Sequence, residues 1–371
     1  MSVLLITESI DIHCRAMKWA LEENGVEADL WTFATFPENQ RLSVRICQEK
    51  QEAELKNSVW HASAPYTSIW LRRPTKARTV SQLLAKADVE MALHESTLLL
   101  DALRPVLAAQ STWINPLGSR AQALSKLHQL LMAKESGLAI PDTLVSNNPA
   151  DIRAFFREHH GNIIYKPFHQ AGWTSQVDQA SYAASASRLT EDQLNDDVSI
   201  TSCPGIYQSY VSKKAELRIT FFGDEYYAVR IHSQETIDGK TDWRANAQRD
   251  ARLEVAVLEA SLLDKCKAFV SRMNLLHGSL DIVEQSDGPE VFLEVNEMGQ
   301  FLWLETKDTP LPMLAAASAF ACEPDSRFRF NPDKWRNISL SRYFESKSYL
   351  AYKKLWDTYV EERDYPFVYQ E

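Results

Sequence analysis

Cysteine, glycine and long apolar runs are scarce in this chain of 371 residues. The five cysteines are odd in number, widely spaced and without any Cys-x-x-Cys pair. We therefore expect free thiols, and neither a disulfide framework nor a zinc site. No G-x-G-x-x-G segment and no Walker P-loop follows the first apolar segment, so a Rossmann or Walker nucleotide site is unsupported.

Membrane and nucleic-acid partners are also unsupported. No segment approaches the roughly 20 apolar residues that a membrane-spanning helix needs. The first residues, MSVLLITESI, carry no basic region ahead of their short apolar run, so no secretory signal is indicated. Asp and Glu number 50 against 40 Lys and Arg, and the net charge of -10 argues against broad binding to nucleic acid. We expect a cytoplasmic protein.

The residues that are present predict an α/β protein with several domains. Hydrophobic residues make up 45% of the chain, which is enough to bury a core. Residues 1–114 alternate strand-like segments, such as VLLI and ADLWTF, with helix-like ones, including a stretch from Ala85 to Ala109. That alternation favours a partly parallel sheet. Further along, we expect a second block at 115–205, a strand-rich block at 206–325 and an aromatic-rich extension at 326–371, which should pack against the body or a partner chain.

Two helices are predicted in the second and third blocks. Leu124, Leu127 and Leu131 mark one helical face, which should be the buried one, and Lys126 should project elsewhere. The other helix is expected from about Glu254 to Met273.

The segment VFLEVNEMGQFLWLE carries polar residues within an apolar strand. Side chains two residues apart on a strand share a face, so Glu294 and Asn296 should point together. Upstream, Asp287-Gly288 is a strong signal for a two-residue turn, which would put Asp281 opposite Glu294. A longer turn would shift this register, because Pro289 fits poorly beside a hydrogen-bonded strand.

Three oxygen ligands on one face would repel one another unless a cation joined them. Hard divalent ions such as magnesium prefer the ligand set that Asp281, Glu294 and Asn296 offer. Magnesium usually takes only a few protein ligands and leaves its other positions to water and phosphate oxygens. The segment therefore predicts a nucleotide-bound magnesium site, with a half-solvated strand as the alternative.

Seven motifs, read in order along the chain, resemble those of the ATP-grasp ligases of the microviridin type, the graspetide maturases. They are WLRRP, WINP, IYKPF, ELRIT, DWR, GSLDIV and LEVNEMGQFLWLE. The resemblance covers roughly residues 1–310. It implies an ATP-grasp fold, with subdomains at 115–205 and 206–325 behind an N-terminal α/β domain at 1–114. The implied enzyme uses ATP and Mg²⁺ to phosphorylate Asp or Glu side chains of a ribosomal precursor peptide. It then joins them to Ser or Thr as esters or to Lys as amides. A homodimer is the expected assembly.

The resemblance also implies a task for each matched residue. Lys126 and Lys166 would contact the α- and β-phosphates, where flexible point charges suit phosphate oxygens. The strand at Gln208, Tyr210 and Val211 would hold adenine through its backbone, and Glu216 would accept from the ribose. Magnesium would be held by Asp281, Glu294 and Asn296. The remaining matches are arginines: Arg218, Arg230 and Arg244 for the transferring phosphoryl group, and Arg72 and Arg73 for a substrate carboxylate.

Two other functions stay open at this stage. One is an ATP-grasp amino-acid or dipeptide ligase that acts on a free substrate or a protein tail, and the other is a non-catalytic ATP-binding scaffold. Glu297-Met298 replaces the Pro-Asn that the family usually shows after LEVN, and this adds a carboxylate beside the metal ligands.

Overall fold

The computed structural model describes residues 1–34, 36–49, 54–57, 66–73, 84–109, 111–168, 172–174, 181–183, 186–235 and 251–361. The strands are β1 Ser2–Ile6, β2 Glu27–Trp31, β3 Leu42–Arg45, β4 Glu54–Asn57, β5 Ser68–Leu71, β6 Thr112–Ile114, β7 Thr143–Ser146, β8 Ile163–Lys166, β9 Gly172–Thr174, β10 Ser181–Ala183, β11 Ser187–Arg188, β12 Gly205–Ser209, β13 Ala215–Phe222, β14 Glu225–Ile231, β15 Leu253–Val255, β16 His277–Glu284 and β17 Val291–Asn296. The helices are α1 Ile12–Glu23, α2 Val89–Ala108, α3 Leu117–Ala123, α4 Lys126–Glu135, α5 Pro149–Glu158, α6 Asp197–Ser202, α7 Ala260–Arg272, α8 Met313–Cys322, α9 Pro332–Trp335, α10 Leu340–Phe344 and α11 Lys347–Glu361.

The N-terminal residues form a parallel sheet in the order β2-β1-β5-β6. Val3 and Leu5 of β1 face one core beside α1, and Leu4 and Ile6 face another beside α2. Because both faces are covered, β1 is a continuous apolar run, as strands buried on two sides usually are. The predicted α/β layer with a parallel sheet is confirmed.

The middle of the chain forms an antiparallel sheet in the order β11-β8-β12-β7. Helix α5 covers one face, where Ile152 packs with Ile163 and Tyr207 in a small core. Strand side chains alternate between faces, so the even-numbered residues of β8 and β12, such as Lys166 and Gln208, lie on the face away from α5.

An antiparallel sheet in the order β15-β14-β13-β16-β17 follows. Helices α4 and α7 cover one of its faces over an apolar core. The strand residues in this core include Leu217, Ile219, Phe221, Leu280 and Phe292. The expected helix from Glu254 is partly wrong, because residues 253–255 instead pair with β14 as the edge strand β15, and α7 begins only at Ala260.

The predicted buried face of α4 is also wrong. Leu124, Leu127 and Leu131 are 63%, 43% and 59% exposed, respectively. Gln129, Leu130 and Ala133 are buried instead. The Gln129 side chain donates to the carbonyl of Val295 at 3.1 Å and accepts from the Val295 N–H at 2.8 Å. The inward side of α4 therefore combines apolar residues with a glutamine that completes the hydrogen bonds of edge strand β17.

The aromatic extension packs against the body, as expected for its described part. Trp335 and Tyr343 belong to the same core as α1 and α8. Glu305 ties the extension in, because its carboxylate accepts from the backbone N–H of Leu314 at 2.9 Å and from that of Leu340 at 2.5 Å. All five cysteines are free, and no helix in the described part of the chain is long and apolar enough to cross a bilayer.

Two buried histidines give a prediction about stability and pH. Burial lowers the pKa of His13 to about 4 and that of His277 to about 3, from an ordinary value of 6.5. Below pH 6.5 the unfolded chain binds protons that the folded chain resists. Each histidine should therefore remove about 1.4 kcal/mol of unfolding free energy per pH unit as pH falls towards 4. Glu297, whose pKa burial raises to about 7, works in the opposite direction.

Urea unfolding at several pH values between 5 and 6.5 measures this dependence. His277→Gln should reduce its slope by about 1.4 kcal/mol per pH unit relative to the unmodified chain. His94→Gln, at an exposed position on α2, is the matched control and should leave the slope unchanged. Parallel curves for His277→Gln and the unmodified chain would contradict the assignment.

Candidate active site

A row of charged side chains crosses the five-stranded sheet. Arg218 on β13 lies opposite Asp281 on β16, which in turn lies opposite Glu294 on β17. Directly opposed residues of antiparallel strands share a face, so the three side chains point to one side of the sheet. Asn296, opposite Ser279, lies on the same face. The alternate residues pack under α4 and α7, and the charged row therefore faces away from that core.

The pairing of Asp281 with Glu294 confirms the expected juxtaposition, but the turn that leads to it differs. Ile282 pairs with Phe292, so Leu293 is an extra residue in β17 and forms a bulge. Residues 285–290 then connect the strands, and the expected two-residue turn is wrong. A proline has no N–H for the ladder, which explains why Pro289 lies in this loop and not in a tight hairpin.

The row is held by hydrogen bonds and ion pairs. Arg218 Nη1 donates to Asp281 Oδ1 at 2.6 Å, and Asn296 Nδ2 donates to Asp281 Oδ2 at 3.1 Å. Lys126 Nζ, in the first turn of α4, lies 3.8 Å from Glu294 Oε2. The side chains of Lys126 and Glu294 are 25% and 20% exposed, whereas Arg218 and Asp281 are buried. Two cations thus balance two carboxylates.

This donor set fits a magnesium ion that is shared with a nucleotide. Within the residues that the structure describes, no group of three or more His, Cys, Asp or Glu side chains could hold a metal ion. Two carboxylates and one amide are an incomplete set, which suits an ion that keeps water and phosphate oxygens as its other ligands. Because the row is neutral by itself, a divalent ion would make it positive and favourable for a triphosphate.

The strand expected to hold adenine is largely engaged in its own sheet. Gln208 pairs with both neighbouring strands, and its side chain donates to Thr143 Oγ1 at 3.0 Å. The N–H of Tyr210 donates to the carbonyl of Asn162 at 2.8 Å, and the Arg188 guanidinium lies 3.7 Å from the centre of the Tyr210 ring. The Tyr210 N–H is therefore occupied, and Val211 begins the irregular linker to β13.

Glu216 lies at the start of β13 on the same face as Arg218. Lys213 Nζ donates to Glu216 Oε1 at 2.8 Å and Ser233 Oγ donates to it at 3.1 Å. Burial raises the pKa of Glu216, and Lys213 partly offsets the rise. Both bonds use Oε1, so within the described residues Oε2 is the oxygen left to accept from a ligand hydroxyl.

Three of the arginines predicted to act in the site are not among the side chains that form the charged row. Arg72 is 1% exposed and pairs through Nε with Asp11 Oδ2 at 2.8 Å, so a buried carboxylate already balances its charge, and its contact with a substrate carboxylate stays a prediction. Arg230 lies opposite Leu217 and therefore on the other face of the sheet from Arg218. It pairs there with acidic side chains and is not brought to the row. Arg244 lies outside the described residues.

A cavity of about 540 Å³ lies beside Glu294 and Asn296, at one end of the charged row. Residues from four parts of the chain line it, among them Arg73, Lys126, Phe168, Glu294, Asn296 and Glu297. Arg72 also lines the cavity, so both arginines of the WLRRP segment border it. Arg73 and Lys126 supply positive charge around a cleft that contains the expected metal ligands Glu294 and Asn296.

Sequence reasoning gave no role to two residues beside the cavity. Arg120 Nη2 lies 3.3 Å from Glu297 Oε1, and the side chain of Glu297 is almost fully buried. Burial raises the pKa of Glu297 to about 7, although Arg120 and Arg72 lower it. The departure from the family at Glu297-Met298 was the signal for this pair, but its arginine partner is 177 positions away in sequence and could not be identified from the motif alone.

Residues 129–296 match the family model of the prokaryotic glutathione synthetase ATP-grasp domain. The chain has the ATP-grasp fold. Its fold resembles that of the macrocyclase MdnC bound to the precursor peptide MdnA, from Microcystis aeruginosa MRC, with a TM-score of 0.75, 23% identity, and coverage of 86% of this chain and 99% of that one.

Two further ATP-grasp structures are similar. The RiPP-associated ATP-grasp ligase of Chryseobacterium gregarium, in complex with ADP and a leader and core peptide, gives a TM-score of 0.77 at 23% identity over 88% of this chain and 99% of that one. The macrocyclase MdnB from M. aeruginosa MRC gives 0.70 at 26% identity over 87% and 99%. No curated protein sequence gave a match.

The charged row predicts which carboxylates the ATP-grasp site needs. Glu294→Gln and Asp281→Asn keep the side-chain shape but remove a charge that would neutralise the metal. Each should lower ADP release by about 100-fold or more. Asp281→Ala should also lower the unfolding temperature, because it leaves the buried Arg218 without its partner.

An ADP-release assay with thermal unfolding in parallel checks this prediction. Asp287→Ala, in the exposed loop of the same hairpin, is the control and should match the unmodified chain in both measurements. Full turnover by Glu294→Gln at ordinary magnesium concentrations would rule out Glu294 as a metal ligand.

Proposed function

We propose that this ATP-grasp protein is an ATP-dependent peptide macrocyclase. It would join Asp or Glu side chains of a ribosomal precursor peptide to Ser or Thr as esters, or to Lys as amides. The observation that carries the proposal is the row of Arg218, Asp281 and Glu294, whose Glu294 end borders a cavity lined by Arg73 and Lys126. The match to ligases crystallised with precursor peptides and ADP supports the choice of substrate.

Each residue has a task in this proposal. Asp281, Glu294 and Asn296 hold magnesium, which, when bound, neutralises charge on the phosphates. Two matched structures of the ligase PsnB contain Mg and ADP, and this supports the binding of magnesium together with a nucleotide. Arg218 fixes Asp281 and offers its charge to the row. The proposed phosphate contacts are Lys126 and Lys166, the ribose contact is Glu216, and the linker that begins at Val211 borders adenine.

The reaction proceeds in two steps that together remove one water. A carboxylate oxygen of the peptide attacks the γ-phosphorus of ATP, which gives an acylphosphate and ADP. A hydroxyl or amine of the same peptide then attacks the acyl carbon, forms the ester or amide and releases phosphate. Phosphoryl transfer of this kind depends on alignment and on charge stabilisation. In the cavity, Arg73 is the proposed contact for the substrate carboxylate, while Phe168 helps to exclude water.

A smaller substrate is the second candidate. The family model that matches residues 129–296 describes glutathione synthetases, and this favours a ligase for a free amino acid or a short peptide. Arg73 would then bind the free carboxylate of that substrate. The two candidates share the activation step and differ in the mass of the product.

The proposal also covers the domain boundaries, the cellular location and the oligomeric state of the enzyme. We place the N-terminal domain at 1–114, the ATP-grasp subdomains at 115–205 and 206–325, and the extension at 326–371, in a cytoplasmic enzyme. Met91, Leu98 and Leu99 are exposed apolar residues on α2, and they support the proposal that two copies associate.

Mass spectrometry of the product tests the proposed reaction. With ATP, Mg²⁺ and a precursor encoded beside its gene, the enzyme should yield a peptide lighter by one water per link, with one ADP and one phosphate released each time. Tandem spectra should place each link between an acidic side chain and a Ser, Thr or Lys side chain. An ester should reopen in mild base, and an amide should survive.

Other outcomes separate the alternatives. A rise in mass by an amino-acid residue would support the smaller-substrate ligase and contradict the macrocyclase. ATP binding without any peptide-dependent ADP release would indicate a non-catalytic scaffold. Glu294→Gln is the matched negative control, since it should leave the peptide mass unchanged in every case.

A further inference from the structure

The loop after β17 is held by a buried cation from the N-terminal sheet. Residues 297–302 follow directly on the proposed metal ligand Asn296. Arg72, at the end of β5, donates through Nη1 to the carbonyl of Met298 at 2.7 Å and also to that of Gly299. Both bonds come from the one nitrogen Nη1, and bonds to two successive carbonyls fix the position of the backbone between them.

Asp11 orients the Arg72 guanidinium and also helps to position His13, which makes a second contact with the same loop. Asp11 Oδ2 lies 2.8 Å from Arg72 Nε and accepts from Thr7 Oγ1 at 2.8 Å. Its Oδ1 accepts from the backbone N–H of His13 at 2.8 Å, which caps α1. His13 Nε2 then accepts from the N–H of Phe301 at 3.1 Å. The Asp11 carboxylate therefore orients a donor, Arg72 Nη1, towards the carbonyl of Met298, and an acceptor, His13 Nε2, towards the N–H of Phe301.

The loop also reaches the charged row from its other side. The carbonyl of Gln300 accepts from Arg218 Nη2 at 3.3 Å, while Arg218 Nη1 bonds Asp281. A chain of contacts thus runs from Asp11 through Arg72 and the loop to Arg218. The side chains of Arg72 and Asp11 are only 1% and 2% exposed, so solvent screens their pairing very little.

Because Arg72 is buried, its charge requires an oppositely charged neighbour. Removing a buried charge from its partner is costly, and within the described residues the carboxylate paired with Arg72 is that of Asp11. Gly299 adds a steric constraint, because a Cβ at that position would lie 2.4 Å from His277 Nε2 and its φ is +54°. The loop therefore passes through one narrow path between Arg72 and His277.

We propose that Arg72, oriented by Asp11, is a positioning residue that fixes the loop at 297–302 and thereby sets the geometry of the magnesium ligands and of Arg218. The effect of Arg72 on the reaction is transmitted through the Met298 and Gly299 carbonyls. The part of this proposal that concerns magnesium rests on the proposed function, whereas the part that concerns the loop does not.

Arg72→Lys tests this role, because a lysine keeps the positive charge but has a single nitrogen, which cannot replace both Nε beside Asp11 and Nη1 beside the loop. Hydrogen–deuterium exchange of the protein without ligands should become faster in peptides that cover 297–304 and stay unchanged in those that cover 277–284. Mn²⁺ serves as the metal probe: its affinity for the enzyme with ADP, measured by electron paramagnetic resonance, should fall by about 10- to 100-fold.

Asp11→Asn is the second variant and should give the same two changes. It keeps the oxygen that caps α1 but removes the charge that orients Arg72. If Arg72→Lys does not fold, Asp11→Asn tests the proposal by itself. Arg153→Lys is the matched control, because Arg153 also donates to a backbone carbonyl, that of Leu194 at 2.7 Å, and pairs with an aspartate far from the loop.

The outcomes separate this proposal from the proposed function. Unchanged exchange at 297–304 in both folded variants overturns it, and so does faster exchange without any loss of Mn²⁺ affinity. If the unmodified enzyme with ADP fails to bind Mn²⁺, the proposed function fails, while the exchange experiment still decides whether Arg72 and Asp11 hold the loop.

Discussion

The pairing of β16 with β17 is the interaction on which the candidate site depends. It puts Asp281 opposite Glu294, and the alternation of side chains along both strands sends these carboxylates away from the apolar core. The bulge at Leu293 lets this pairing coexist with a loop long enough for Pro289. The outer side of β17 is bonded by Gln129 of α4 and by the carbonyl of Ala139, which accepts from the Phe292 N–H at 2.8 Å. The proposed metal ligands Glu294 and Asn296 therefore lie on a strand that is fixed from both sides.

Charge balance explains why the same row contains arginine and lysine. Buried carboxylates are costly without partners, and Arg218 supplies one at 2.6 Å from Asp281. Glu294 is less buried, and its cation Lys126 is more distant at 3.8 Å. The buried pair is thus suited to hold the geometry of the site. The more exposed pair can separate when a phosphate enters, because an ion pair at the edge of solvent is weak.

The N-terminal sheet contributes to the site mainly through contacts with backbone atoms. Asn115 on the segment after β6 accepts from the N–H of His277 at 2.8 Å and donates to the carbonyl of Glu297 at 3.0 Å. Arg72 adds its bonds to the same loop from β5. These polar side chains bond the backbone of a distant segment and so join two parts of the chain. The WLRRP and WINP motifs thus have a structural use in addition to any contact with substrate.

The sequence by itself determined the local features of this protein. Apolar segments such as VLLI indicated strands, and the spacing of Glu294 and Asn296 indicated a shared face. Ordered motifs were enough to indicate the ATP-grasp fold. These features depend on residues that are close in the chain, where backbone geometry fixes which side chains point together.

Only the tertiary structure decided which polar residues face the cavity and which are buried partners. Arg72 and Arg73 are adjacent in sequence and both line the cavity, yet Arg72 is buried against Asp11 whereas Arg73 is more exposed. Leu127 and Leu131 have the spacing of a core face, but they are exposed, and Gln129 faces inward, where it bonds Val295. Arg230 shares a motif-rich region with Arg218 and lies on the opposite face of the sheet. In each case a hydrogen bond or ion pair to a residue far away in the chain made the decision, and no local pattern records such a partner.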